Sequence, residues 1–371
     1  MLSLPSVLFI TFIVIVGIQI GYYLSFLVAF SVKRAENQQK TNIPLSVIIC
    51  AKNEAVNLKK NLPLILNQDY PNFEVVLVND SSSDDTLEII EDFASKHTNI
   101  KLVDVKTNER FWGNKKYALT LGIKASKHEH LVFTDADCKP TSTKWLSYIA
   151  GSFSKEKSIV IGHGGYSKKP YSLLNKLIRF ETTMTALQYF SYANLGSPYM
   201  GVGRNMAYKK DLFFNNSGFS NHVFINSGDD DLFINETANK SNTSICFNTD
   251  SFTVSEPKHK FKDWILQKRR HISTSKFYKF KHQFLLGLFY MSQFLFWALG
   301  ILLLSLNFNW QWVLALIVLR FIIYFFSFGF TAEKLGEIDL LVLSPFLELC
   351  LITSQLFIFI ANLISKPKHW K

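Results

Sequence analysis

The sequence predicts an α/β fold built on a mostly parallel sheet, with transmembrane helices at its N-terminal and C-terminal ends. Three observations carry that reading. Between residues 45 and 134, apolar runs of strand length alternate with stretches of helical periodicity, the pattern of a parallel sheet covered by helices on both faces. One apolar run near the start and three after residue 282 are each long enough to cross about 30 Å of hydrocarbon. Asn53, Asp80 and Asp135 all fall at strand ends, where open α/β sheets bind their ligands.

The 371 residues carry a net charge of +11, unevenly spread. Residues 6–30 hold no charged side chain and read as an N-terminal transmembrane helix. That segment lacks a basic n-region and exceeds the core of a cleavable signal, so it is expected to be retained. Lys33, Arg34 and Lys40 follow it, and the positive-inside rule places the next part in the cytosol. Residues 41–256 have the mixed charge of a soluble domain. Residues 258–281 then carry nine Lys/Arg and one acid, Asp263, among Phe261, Trp264, Phe277, Tyr278 and Phe280. The stretch 257–282 therefore reads as a basic amphipathic segment lying against anionic membrane lipids. Its place beside an apolar run argues against nucleic acid as a partner.

Residues 284–364 form a C-terminal membrane region of about three helices, near 284–306, 310–330 and 340–364. Four crossings would return the basic tail, Lys366 to Lys371, to the outside, against the positive-inside rule. Pro345 and Glu348 mark the last run as the candidate for a re-entrant or interfacial piece. Arg320 can snorkel or pair with Glu348. Cys50, Cys138, Cys246 and Cys350 are too scattered for a zinc site or a disulfide framework and read as reduced packing residues.

Within the middle region the elements follow in order. Residues 45–50 are a buried strand by their continuous apolar character. Residues 54–67 read as a helix with Val56, Leu62, Ile65 and Leu66 as apolar positions. A second strand, 73–78, closes at Asn79 and Asp80; Ser81 to Asp84 supply turn and cap chemistry for a helix at 86–96. A strand at 100–105, a helix at 115–125 and a strand at 130–134 complete the regular part. Beyond Pro140, two glycine-rich pieces at 162–165 and 200–204 flank a helix at 172–189. A polar linker occupies 37–42.

Five groups of residues carry candidate chemistry. Asp80, at a strand end, can accept hydrogen bonds from a base edge or a ribose; the bland alternative is a helix cap. Lys115, at a helix start after Trp112-Gly113-Asn114, can reach a diphosphate with help from the helix dipole; alternatively Lys115 and Lys116 are two solvated lysines. Asp135 and Asp137 lie one residue apart after a buried strand, on one face and roughly 7 Å apart at a rise of about 3.3 Å per residue. That geometry suits a hard divalent cation that keeps company with phosphates; the bland alternative is a polar turn. Asp229, Asp230 and Asp231 repel one another and can supply a general base, or simply favour a helix N-terminus. Gln267 and Arg270 share a helical face and can hold a diphosphate or an acceptor.

Taken in chain order, these motifs resemble the family 2 glycosyltransferases, the membrane-bound inverting enzymes that include cellulose, hyaluronan and chitin synthases and ceramide glucosyltransferase. The resemblance spans about residues 44–275 and the flanking membrane segments. Val47-Ile48-Ile49-Cys50-Ala51-Lys52-Asn53-Glu54 resembles the family's opening strand. Asn79-Asp80-Ser81-Ser82-Ser83-Asp84-Asp85-Thr86 is similar to its nucleotide-binding turn, and Asp135-Ala136-Asp137 to its metal motif. Gly228-Asp229-Asp230 stands where a Glu-Asp pair carries the base, and Gln267-Lys268-Arg269-Arg270-His271 resembles its Gln-x-x-Arg-Trp motif. Asp229 replaces the usual glutamate, which leaves the base open between Asp230 and Asp231. His271 replaces the tryptophan that stacks near the acceptor sugar in processive enzymes.

The resemblance implies a GT-A-type nucleotide-diphospho-sugar transferase domain on the cytosolic face of a multi-pass protein of the bacterial inner membrane. It implies sugar transfer, with inversion, from a UDP-linked donor to a lipid or lipid-linked glycan. Glu54 and Asp80 would hold the nucleoside, Lys115 the diphosphate, and Asp137 Mg2+ or Mn2+ with Asp135 beside it. Asp230, with Asp229, would serve the acceptor hydroxyl; Gln267, Arg270 and Arg204 would steady diphosphate or acceptor. Two other classes are a processive polysaccharide synthase of the same family and an inactive membrane-anchored nucleotide-binding protein. A transporter fits poorly, because most of the chain is not membrane.

Overall fold

In the computed structural model, which describes residues 3–31, 41–106, 115–225 and 227–365, the regular part of the chain folds as its periodicity dictates. Helix α1 (Leu4–Ser31) comes first. β1 (Leu45–Ala51), α2 (Ala55–Leu66), β2 (Phe73–Asp80), α3 (Thr86–Lys96), β3 (Ile100–Val105), α4 (Lys115–Ala125) and β4 (His130–Phe133) follow. Each lies within about two residues of the sequence expectation. Lys33, Arg34, most of the 37–42 linker, Trp112 to Asn114 and the tail from Lys366 lie outside the described residues.

The chain then makes short pieces that have no sequence periodicity: β5 (Cys138–Pro140), α5 (Trp145–Gly151), β6 (Ile159–Ile161) and β7 (Gly164–Tyr166). The long α6 (Leu173–Asn194), expected to end at 189, runs five residues further. β8 (Met206–Lys209), α7 (Lys210–Asn215), α8 (Asp231–Thr237), β9 (Thr243–Ile245) and β10 (Thr253–Ser255) complete the α/β part. α9 (Phe261–Ile272) leads to α10 (Phe280–Ser305), α11 (Trp310–Lys334) and α12 (Ser344–Ile364).

The main sheet has seven strands in the order β3-β2-β1-β4-β8-β6-β9. Only β8 opposes its neighbours, so the sheet is mostly parallel. β5, β10 and β7 form a second, three-stranded sheet. Alternation along β1 sets the layers: Leu45, Val47, Ile49 and Ala51 face a core with α2, α3 and α5, while Ile48 faces α4 and α6. The second of these cores does not stop at the domain edge. It continues through Phe180 and Phe190 of α6 to Tyr23, Phe26 and Phe30 of α1 and Phe328 of α11. Parallel strands fully buried on both faces need no polar alternation, which is why β1 and β2 read as unbroken apolar runs.

Four helices, α1, α10, α11 and α12, are long and apolar enough to cross a membrane. They meet at one buried ion pair. Arg320 (0 % exposed) donates Nη1 to Glu348 Oε2 at 2.9 Å, and its Nη2 also contacts Glu348 Oε1. Gln19 and Tyr23 of α1 and Gln293 of α10 complete the cluster: Arg320 Nη2 donates to Gln19 Oε1 (3.0 Å) and Gln293 Nε2 to Glu348 Oε1 (2.8 Å). Pairing, not snorkelling, is thus how Arg320 is accommodated.

The path of α12 is unusual. The turn before it is held by α6, through Arg179 and Glu337. Its second turn places Glu348 against the middle of α11. Its last turn is bound by α9, Arg269 donating to Asn362 Oδ1 (2.9 Å), Ala361 O (3.0 Å) and Ser365 O (2.6 Å). The helix therefore starts and ends against elements of the α/β side and does not carry the chain to the opposite face of the bundle.

Removing one member of the Arg320–Glu348 pair strands a charge in an apolar interior. Glu348→Ala should cost about 3–5 kcal/mol and lower the melting temperature in detergent, while Arg320→Leu/Glu348→Leu should recover most of the loss. A double variant no more stable than the single one would remove the pair from the account.

Candidate active site

The carboxyl ends of β1, β2 and β4 open on one side of the sheet, and the loops there are locked to each other. Asn53, with a left-handed φ of 55°, accepts from Ser83 N at 2.8 Å, and its own N–H donates to Ser82 Oγ at 3.1 Å. Asp84 accepts from Thr86 N (3.1 Å) and Ala55 N (3.3 Å), so it performs the capping role and leaves Asp80 for other work. Asp80 is 8 % exposed and lies 3.7 Å from Lys52 Nζ. Burial raises its pKa, partly offset by Lys52.

Asp135 follows β4 directly. Lys115 Nζ, in the first turn of α4, lies 2.8 Å from Asp135 Oδ1 and 3.1 Å from Asp229 Oδ2. Burial alone would raise Asp135; the ammonium of Lys115 outweighs it and lowers the pKa. The adjacent Lys116 is not solvated, as the bland sequence alternative had it. It is 2 % exposed and donates to the carbonyls of His222 (2.7 Å), Ile225 (2.9 Å) and Ser227 (2.8 Å). Burial lowers its pKa to about 8. Lys116 therefore pins the strand of chain that delivers the acid triplet, a positioning role that no spacing rule signals.

Gly228 starts that triplet with a φ of +91°, and a Cβ there would lie 2.5 Å from Leu232 Cδ1, so only glycine makes the turn. Asp230 then accepts from Gly203 N at 2.7 Å and Asp231 N at 2.8 Å. Burial, with the charges of Asp229 and Asp231, pushes its pKa up to about 7. Asp231 points elsewhere: its Oδ2 accepts from Thr274 Oγ1 (2.5 Å) and Tyr278 OH (2.7 Å). Both acids line the cavity, but among the described residues two hydroxyls occupy Asp231, whereas Asp230 accepts only from backbone N–H groups.

Asp137 lies on the far side of Asp135. Oxygens of the two carboxylates and the Cys138 sulfur fall within 4.8 Å of one another. Burial, then the charges of Asp135 and Glu54, raise the Asp137 pKa. The thiol of Cys138 is pushed up as well and lies 3.4 Å from Asp137 Oδ1, so it is a donor rather than a thiolate ligand. Two converging, mutually repelling carboxylate oxygens fit a hard cation such as Mg2+ or Mn2+.

A cavity of about 780 Å3 joins part of this constellation to the long apolar helices α10 and α12. Lys115, Asp135, Asp229, Asp230, Arg270 and Gln267 line one end of it. Gln267 and Arg270 do share the inner face of α9. Arg204 also lines it, but its guanidinium is committed to β7 and β10, donating to Gly164 O (2.8 Å), Gly165 O (3.1 Å) and Ser255 Oγ (2.9 Å). Glu54, Asp80 and Asp137 are outside this cavity, at the strand ends around it. Glu181 of α6, which carries no sequence signal, enters the wall through Lys268, 2.5 Å away.

A family model described as "Glycosyl transferase family 2" matches residues 46–214, and one described as "Glycosyl transferase family group 2" matches residues 135–328. The chain is 36% identical over 104 residues to a poly-beta-1,6-N-acetyl-D-glucosamine synthase of Staphylococcus epidermidis, covering 28% of this chain and 24% of that one. It is 29% identical over 203 residues to a 4,4'-diaponeurosporenoate glycosyltransferase of Staphylococcus haemolyticus, covering 53% and 50%. Similarity to the probable glycosyltransferase YdaM of Bacillus subtilis is 33% over 141 residues, covering 37% and 33%. The chain thus spans at most half the length of these relatives. Among solved structures, the mannosyltransferase PcManGT of Pyrobaculum calidifontis, in complex with GDP-Man and Mn2+, superposes with a TM-score of 0.62 at 16% identity, covering 94% of this chain and 99% of that one. That likeness extends the shared fold over the membrane helices as well.

The raised Asp230 pKa has a stability consequence. Between the ordinary carboxylate range and pH 7 the folded state holds a proton there that the unfolded chain has lost, so stability falls as pH rises across that window. Asp230→Asn should therefore raise the melting temperature at pH 8 and leave it nearly unchanged at pH 4. An equal shift at both pH values would mean that Asp230 ionises normally.

Proposed function

The chain belongs to the family 2 glycosyltransferases, and we propose that it is a membrane-bound inverting enzyme. It moves a sugar from a nucleoside diphosphate donor, UDP-linked, to a hydroxyl of a lipid or lipid-linked glycan. One observation carries the reading: a single cavity joins Asp229 and Asp230 to the membrane helices α10 and α12. The GT-A-type domain would face the cytosol of a bacterial inner membrane, in keeping with the basic residues after α1.

The roles follow from placement. Asp80, at the end of β2, and Glu54, just past the end of β1, hold the nucleoside. Lys115, bridging Asp135 and Asp229, neutralises both acids and can turn to the diphosphate. Asp137 with Asp135 would hold a divalent cation, which supplies charge neutralisation for the departing diphosphate. Asp230, partly buried and unoccupied by hydroxyls, takes the proton of the acceptor hydroxyl. The acceptor oxygen then attacks the anomeric carbon from the face opposite the diphosphate, giving inversion. Asp231 is set aside as the base because Thr274 and Tyr278 engage it. Gln267 and Arg270 steady the diphosphate or acceptor from α9.

Asp230→Asn should retain UDP binding and lose transfer by about 10²–10⁴-fold, the usual worth of a general base; measured in detergent with a panel of nucleotide sugars, full activity would exclude Asp230. For the wild type, transfer should rise with pH through about 7, as the Asp230 carboxyl ionises. Asp137→Ala should abolish any difference between UDP affinity with and without Mn2+, and a wild type that binds UDP equally well in both conditions would remove the cation.

A further inference from the structure

The catalytic end of the cavity is polar, but its other end is built from membrane helices. Leu286, Gly287, Tyr290 and Met291 of α10 face Ile352, Leu356 and Phe359 of α12 across it. Tyr290 closes the seam, its ring 5.4 Å from that of Phe359. Gly287, Met291 (47 % exposed), Leu356 (37 %) and Phe359 (42 %) line the cavity and are at the same time exposed. They therefore form a rim where the cavity opens sideways between two apolar helices. A side chain added at Gly287 would meet nothing within 4 Å, so the rim is open at that position. α12 lines this opening while its last turn is held by Arg269 of α9.

At the inner end, Lys115 and Arg270 belong to the donor diphosphate under the proposed function, and the groups left to meet an acceptor are oxygens. Asp230 presents a carboxylate. Gln267 Oε1 is buried in the wall with no hydrogen-bond partner among the described residues. Oxygens of this kind recognise a ligand that donates, so a hydroxyl head suits them. The distance from head to rim is bridged by Tyr189, Phe289 and Ile358, a lining suited to hydrocarbon.

We propose that the acceptor is a hydroxyl-headed lipid that enters laterally from the bilayer, through the gap between α10 and α12 at Gly287, with its head at Asp230 and Gln267 and its tail between the two helices. This rests on the glycosyl-transfer reading for what happens to the head, but lateral entry is readable by itself.

The test uses the full chain in phosphatidylcholine vesicles that contain a diacylglycerol with a photoreactive acyl chain. Adducts are mapped by mass spectrometry. The expected result is labelling on α10 near Met291 and on α12 near Leu356, reduced roughly tenfold or more by Gly287→Trp, since an overpacked groove excludes its ligand. Ile322→Trp, on an exposed face of α11 away from the cavity, should leave labelling unchanged. Unlabelled dioleoylglycerol should compete, and phosphatidic acid should not. Labelling that ignores Gly287→Trp overturns lateral entry, and equal competition by phosphatidic acid overturns the hydroxyl head. UDP binding by each variant is measured alongside. It shows that the variant is folded, and absence of UDP binding in the wild type would instead sink the transferase reading while leaving the labelling result standing.

Discussion

The ammonium of Lys115 joins the two arms of the acid cluster. Asp135 arrives from the end of β4 and Asp229 from the loop before α8, and Lys115 lies within salt-bridge distance of both. Without a counter-charge, these carboxylates and the neighbouring Asp137, Asp230 and Asp231 would repel each other in a partly buried cleft, where such terms are poorly screened. The next residue does a complementary job. Lys116 leaves the same turn of α4 and clamps three carbonyls of the chain that leads to Gly228. Two consecutive lysines thus fix both the charge balance and the backbone position of the triplet, one through carboxylates and one through peptide oxygens.

How much of this was legible in the sequence depends on range. The elements between residues 45 and 134 are set by local periodicity and by continuous apolar runs, and their ends matched closely. The strands from β5 to β10 are three or four residues long. They exist because distant segments pair, as in β6 with β8 and β9, and so short a strand carries no pattern to read. The candidate site followed the same division. Acids at strand ends were visible, since the topology of a parallel sheet gathers strand ends together. Lys116 was open to reading as solvated, because a lysine's burial is decided by carbonyls more than a hundred positions away. The proposed preference for Asp230 over Asp231 as base also rests on remote partners, Thr274 and Tyr278.

The α/β domain is not a soluble head on a tether. Its core is continuous with the helical bundle through α6, and polar links reinforce the contact: Asn194 donates to Ala29 O (3.0 Å) at one end of α6 and Arg179 to Glu337 at the other. The last turn of α12 is held by α9, so the chain at Ser365 lies against an element of the α/β side.

The bond from Asp231 to Thr274 and Tyr278 has a practical side. These two hydroxyls belong to the connector between α9 and α10, while the carboxylate they satisfy is the next residue after the proposed base. Cutting the protein ahead of residue 274 to obtain a water-soluble fragment would delete both donors and leave an acid stranded inside the protein. What was removed as an anchor would prove to have been part of the engine's housing.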